Sequence, residues 1–244
     1  MRISVLTAFC FLSGLWLMTS RTIASEDTLP SIESQAIAAA AKLEAVSARM
    51  RINAMMKMGD ADIESESNGT YEHQRHGNRI VFRIDLNNVV TSRHVGQTRK
   101  AEQSVLTISD GAACYVITNQ AGRKPTVTKS IPQPGQTIVA DENFFTSLKK
   151  SYNLRVLPDQ NIEGKKAWAI EATPKAAAAD QPAKTIHYIQ KESGLRVKST
   201  GHDKSGRRIQ LTALSQINLK PEIKPDRFLV ELPDDVTIVD LTGK

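Results

Sequence analysis

The sequence predicts a mainly β, α+β protein: an antiparallel sheet of about ten or eleven short strands curled into a barrel or half-barrel, with two or three helices inserted. Three observations predict it. First, residues 46–58, VSARMRINAMMKM, set Val46, Ala48, Met50, Ile52, Ala54, Met56 and Met58 on one face, against Ser47, Arg49, Arg51, Asn53 and Lys57 on the other. Strict alternation, broken only by Met55, marks a strand with one apolar and one wet face. At about 3.3 Å per residue it spans roughly 43 Å, well beyond an ordinary strand. Second, short apolar runs recur at hairpin spacing, separated by glycine, aspartate and asparagine clusters. Third, few segments carry the helical period, and they interrupt the strands instead of alternating with them one by one.

At the N-terminus Met1-Arg2 precedes an apolar run, residues 3–18, followed by the small-residue site Thr22-Ile23-Ala24-Ser25. This reads as a secretory signal, residues 1–25, removed after Ala24 or Ser25. Cys10 lies inside the apolar run behind Phe9, where lipid attachment needs a small residue, so it is not read as a lipidated cysteine. Cleavage leaves Cys114 alone, which excludes an internal disulfide framework. Residues 26–244 are long enough to form one domain around an ordinary core. Of 32 basic and 26 acidic residues, cleavage removes Arg2 and Arg21, and the remaining excess is mild, without a long basic run. That argues against a nucleic-acid partner.

Residues 31–45 read as a helix, with Ile32, Ala36, Ala39, Ala40 and Leu43 on one face, Ser31 as cap and Glu33 at its positive end. Its alanine-rich face packs closely but weakly, so it is expected to rest on a sheet and be displaceable. After the long strand comes a turn at residues 59–62, then a polar strand through about 70–73. The turn Arg75-His76-Gly77-Asn78 leads to an alternating strand with Ile80, Phe82, Ile84 and Leu86 on one face. Strands at 103–108 and 113–119 flank Ser109-Asp110-Gly111, a hairpin signal. Asn68-Gly69-Thr70, formally a glycosylation acceptor, reads as a turn. Residues 120–140 are rich in proline and glycine and read as loop with one short edge strand. Asp141 caps a helix over 142–152 that carries Phe144, Phe145, Leu148 and Tyr152 on one side. Strands follow at 154–157, 166–172, 185–190, 195–200, 208–219 and 228–232, with a short tail at 236–241.

No nucleophile elbow, phosphate-binding glycine loop or His-Glu-x-x-His occurs, so the chain is not read as an enzyme and no cofactor is expected. His73 and His76 form His-x-x-His across a polar turn without a clear third ligand, and they read as surface histidines, not a metal site. Cys114 sits in an apolar strand and reads as a small buried hydrophobe.

In order and spacing, several segments resemble the LolA-like lipoprotein carriers and the wider lipoprotein-sorting superfamily that includes LolB and RseB. These are QRHGNRIVFRI, VLTISDGAACYVITN, DENFFTSLKKSYNLRVL, GLRVKSTGHDKSGRRIQLTALSQINL and the ending PDRFLVELPDDVTIVD. The resemblance implies a half-open antiparallel barrel whose apolar concave face is covered by helices, with acyl chains lying between. It implies a monomeric periplasmic carrier of lipoprotein acyl chains or other lipid, moving cargo towards the outer membrane, with an inner- or outer-membrane receptor as partner. The alternative is an RseB-like regulatory sensor that binds a membrane signalling protein, and a third reading is a filled, structural barrel. The expected cavity lining is Met50, Ile52, Met56, Met58, Ile80, Phe82, Ile84, Trp168 and Ile170. The expected lid residues are Phe144, Phe145 and Leu148. Arg75 falls where the family has an arginine that latches the lid to helix backbone, although His76-Gly77 replaces the family's proline.

Overall fold

The long alternating segment is the central strand of the sheet. In the computed structural model, which describes residues 27–242 except 78, 133–136, 177–180 and 233–235, the chain runs α1 (Leu29–Ala40), β1 (Ala45–Met58), β2 (Ala61–His76), β3 (Arg79–His94), β4 (Gln97–Ser109), β5 (Cys114–Gln120), β6 (Thr126–Ser130), α2 (Glu142–Ser151), β7 (Tyr152–Ile162), β8 (Lys165–Pro174), β9 (Lys184–Gln190), β10 (Arg196–His202), β11 (Arg208–Asn218), a 3-10 turn at Pro225–Phe228, and β12 (Thr237–Asp240). The expected signal, residues 1–25, lies outside the described residues. The strand order is β12-β6-β5-β4-β3-β2-β1-β11-β10-β9-β8-β7. β1 therefore joins one meander, β2 to β6, to a second, β7 to β11. The outer strands β12 and β7 do not pair with each other, so the barrel is half-open.

The strands outrun their apolar patterns. β2 and β3 each span 16 residues, because β2 is laddered along the full length of β1 and β3 in turn along nearly the full length of β2. Polar side chains continue the pairing where the apolar pattern stops: Ser65 and Ser67 both donate to Asn88 Oδ1, at 2.9 and 3.2 Å. Asn68-Gly69-Thr70 is not a turn but lies inside β2. A Cβ added at Gly69 would sit 1.8 Å from the Asp85 carbonyl oxygen, so β2 and β3 approach more closely there than any side chain allows.

Three further expectations are corrected. The one short strand expected after β5 is present as β6, but it is not the edge: β12 pairs with it in parallel from outside, the one parallel ladder among the described residues of an otherwise antiparallel sheet. The expected strand at 228–232 is absent. Instead the 3-10 turn buries Phe228, while Arg227 donates to Glu72 Oε2 at 3.0 and 2.7 Å and its carbonyl accepts from Arg83 Nη1 at 3.3 Å. This segment is held on the convex face of β2 and β3 by charge, which the strand pattern does not register. Finally, His73 is not at the surface but fully buried, and His76, three residues on, faces the opposite side of β2.

α1 starts earlier and stops earlier than its pattern. Thr28, not Ser31, caps it by accepting from Ser31 N at 3.4 Å, and Ala45 onward is taken by pairing in β1. It is also better anchored than an alanine face suggests. Asp27 before it accepts from Trp168 Nε1 at 2.7 Å and Lys191 Nζ at 3.0 Å, and these hydrogen bonds, Trp168 first, hold its carboxyl below the usual range. Glu33 pairs with Lys149 of α2 at 2.7 Å.

Candidate ligand site

Directly paired residues share a face of the sheet, so the ladders map the concave floor. One row runs through Val46, His73, Phe82, Ser109 and Cys114, and the next through Ala48, Tyr71 and Ile84. A third places Met50 beside Leu86 and Leu214 around Gly69. Ala40, Leu43 and the segment Ile138-Val139 pack onto this floor as one cluster. On the far side of the barrel Trp168, Ile170, Ala172 and Ile189 pack against Ile32, Ala36, Phe144, Phe145 and Leu148 as a second.

The sequence-predicted residues divide accordingly. Met50 and Phe82 are buried in the first cluster, with Ile52 and Ile84 partly buried against it. Trp168 and Ile170 lie in the second, beneath α2. Ile80 is half-buried near the β2–β3 turn. Met56 and Met58 are 53% and 64% exposed and belong to neither cluster. The apolar floor does not follow β1 to its end, because its neighbours turn polar: beside Ile52 stand Ser67 and Asn88 on one side, and Thr212, Ser199 and His187 on the other. Surface grooves of about 460 and 480 Å³ lie elsewhere, lined largely by polar residues such as Asn87, Gln103 and Asn119 in one, and Arg51, Glu64 and Arg208 in the other.

Phe144, Phe145 and Leu148 are all buried, on a helix capped by Asp141, whose Oδ1 accepts from Phe144 N at 2.8 Å. The Phe144 ring meets Phe145 edge-on at 5.1 Å and His187 at 5.6 Å, and the Arg196 guanidinium lies 5.0 Å from its centre. Arg196 also donates to the Thr137 carbonyl at 3.1 Å, and burial pulls its pKa down. Arg75 points onto the same concave side. Its Nη2 donates to Ala40 O, the last carbonyl of α1, at 3.4 Å, and its Nε to Leu43 O in the turn that follows at 3.2 Å.

Two histidines accompany the apolar cover, His73 fully buried and His187 half-buried with its Nδ1 shut off from solvent. The Tyr71 hydroxyl lies 3.4 Å from His73 Nδ1, while His73 Nε2 and His187 Nδ1 have no hydrogen-bond partner among the described residues. Burial first, with Arg75 nearby, lowers the His73 pKa to about 4; burial, with Arg196, lowers that of His187 to about 3. The unfolded chain, with ordinary histidine values near 6.5, thus binds protons that the folded protein refuses. Stability is full above about pH 6.5 and falls as pH drops towards 4, by up to about 1.4 kcal/mol per pH unit for each histidine. Urea unfolding at pH 7.5 and 5 measures this. His187→Gln should flatten the slope, and equal stability at both pH values would contradict the burial of these rings.

No family model matches the chain, and no curated protein matches it. Solved structures do. An uncharacterized conserved protein from Thermus thermophilus aligns with a TM-score of 0.47 and 10% identity, over 86% of this chain and 98% of its own. MucB aligns at 0.42 with 14% identity, covering 83% of this chain and 62% of MucB, so this chain spans less than two thirds of MucB. A LolA-superfamily protein from Nitrosomonas europaea aligns at 0.29 with 14% identity, over 84% and 98%. The likeness is one of fold.

Sequence reasoning missed the segment at 138–140, whose Ile138, Val139 and Ala140 are all buried. It is bridged to the β9–β10 turn through Val139 and Leu195, with Ala140 N donating to Gly194 O at 2.9 Å and Arg196 N to Ile138 O at 2.7 Å. The signal was three apolar residues directly before the Asp141 cap, masked by the prolines preceding them.

Proposed function

We propose that this protein binds acyl chains of lipoproteins or other lipids on the concave floor of its half-barrel, as a periplasmic carrier and not as an enzyme. The observation that supports this most is the construction of the cover. The apolar floor is closed not by a second sheet but by two short helices and one extended segment, and α2 contributes only ten residues, with Phe144, Phe145 and Leu148 as its buried face. A cover of that size can leave its seat without unfolding the sheet. The floor offers Met50, Phe82, Leu214, Trp168 and Ile170, and the polar row at Ser67, Asn88 and His187 is where the ligand's polar end would lie. Arg75, donating to the end of α1, is the latch in this reading.

Burying a chain is worth about 0.8 kcal/mol per methylene before ordering costs, so affinity for fatty-acyl probes should rise with chain length. Titration of the mature protein with acyl probes of increasing length tests it, and affinity independent of length overturns it. Added salt should leave acyl binding intact or strengthen it, since apolar burial is not screened. Loss of binding with salt would mean that a charged headgroup dominates recognition.

A further inference from the structure

We propose that the crest formed by the β1–β2 and β3–β4 hairpin ends is a docking surface for an anionic lipid bilayer. The two ends adjoin, since Met58 pairs with Ala61, Asp62 with Arg93 and His94 with Gln97. At this crest Met56, Met58 and Val95 are 53%, 64% and 83% exposed. Val95 and Gly96 form the two-residue turn with φ of 33° and 75°. A hairpin turn with both central residues left-handed favours Asn-Gly, and a β-branched residue is the poorest occupant of the first position. The other described non-glycine residues with positive φ, Glu163 and Gln216, are polar. Val95 is therefore strained and wet at once, which neither local folding nor core packing accounts for.

The charge around the apolar tip names the partner. Lys57, Arg93, His94, Arg99 and Lys100 are all exposed on the two hairpins, and Arg207 and Arg208 enter β11 beside Met55. Asp60 and Asp62 are the acidic residues at the turn, while Glu64 pairs with Arg93 at 3.1 Å and Asp203 with Arg207 at 3.2 Å. Apolar tips within a basic collar suit an interface in which short hydrophobic side chains enter between headgroups and cations meet lipid phosphates. A protruding ridge needs no complementary groove on a bilayer, whereas a protein partner would have to supply one. The surface stands apart from the acyl floor, so docking can hold even if the barrel binds no ligand.

The test is flotation of the mature protein with vesicles of phosphatidylethanolamine and phosphatidylglycerol, against vesicles of phosphatidylcholine alone, at low and high salt. Association with the anionic vesicles alone, weakened by salt, is expected. Lys57→Gln and Lys100→Gln should each lower it by about fivefold. Val95→Asn, which supplies the residue the turn prefers, should lower it by about fivefold while leaving the unfolding midpoint unchanged or raised. Met58→Ser should act in the same direction. Tryptophan emission of Val95→Trp should shift to the blue on anionic vesicles. No association at low salt overturns the proposal. So does unchanged binding by Val95→Asn and Met58→Ser when the charge variants fail, since that is attraction to any polyanion. Association only with native envelope vesicles, abolished by protease treatment of them, overturns it too and assigns the crest to a protein receptor.

Discussion

Replacing Phe145 with alanine is expected to destabilise the empty protein by about 3–5 kcal/mol, the usual cost of deleting a buried aromatic ring. Phe145 is fully buried, and it meets Phe144 edge-on, so the double alanine variant should cost less than the two single changes added. Urea unfolding at neutral pH gives the loss. Its mechanistic meaning comes from hydrogen exchange. If α2 is a lid, amides of residues 142–151 should change protection when an acyl ligand binds, while those of β8 beneath do not. Strong, equal protection of α2 with and without bound ligand would make the helix fixed core and remove the gating step.

A comparable loss is expected at a residue with no side chain. Gly194, in the β9–β10 turn, has φ of 66°, and an added Cβ would lie 2.3 Å from Ala36 O and 2.8 Å from Ala40 N. Gly194→Ala therefore meets a left-handed backbone penalty of about 1–2 kcal/mol and also pushes α1 off its seat. We expect a total near 3–5 kcal/mol, which is the range of losses that need such a named cause. Gly122→Ala is the control: φ is 74° there, but nothing lies within 4 Å of the added Cβ, so only the backbone penalty of about 1 kcal/mol should appear. Equal losses in the two variants would show that the contact between α1 and the turn contributes nothing.

Where the sequence was read well, one segment carried enough local information by itself. β1 was visible because seven alternating apolar residues have no other economical conformation, and α2 because Asp141, Phe144, Phe145 and Leu148 put a cap and a single apolar face in ten residues. The hairpin at Asp110 was visible for the same reason: its Oδ1 accepts from Ala112 N and Ala113 N, both at 2.8 Å, within the turn itself. Six of the nine expected lining residues lie in or against the two clusters beneath the helices, while Met56 and Met58 do not and Ile80 is only half-buried. Alternation tells which face a side chain takes; it cannot tell how far along the strand a cover extends.

The sequence by itself determined the elements whose stabilising partners are a few residues away: alternating strands, capped helices and aspartate-glycine turns, and hence a mainly β fold with helices inserted. Only the tertiary structure decided what depends on backbone surfaces meeting across the chain. It set the parallel pairing of β12 with β6 and the clamp of Arg227 on Glu72, 155 residues apart. It buried His73 within a polar stretch, and it seated α1 on Gly194. The concave floor belongs to the second group. Met50 and Leu214 are 164 positions apart and meet only because β11 returns to pair with β1, so the floor exists when the sheet closes around it and not before.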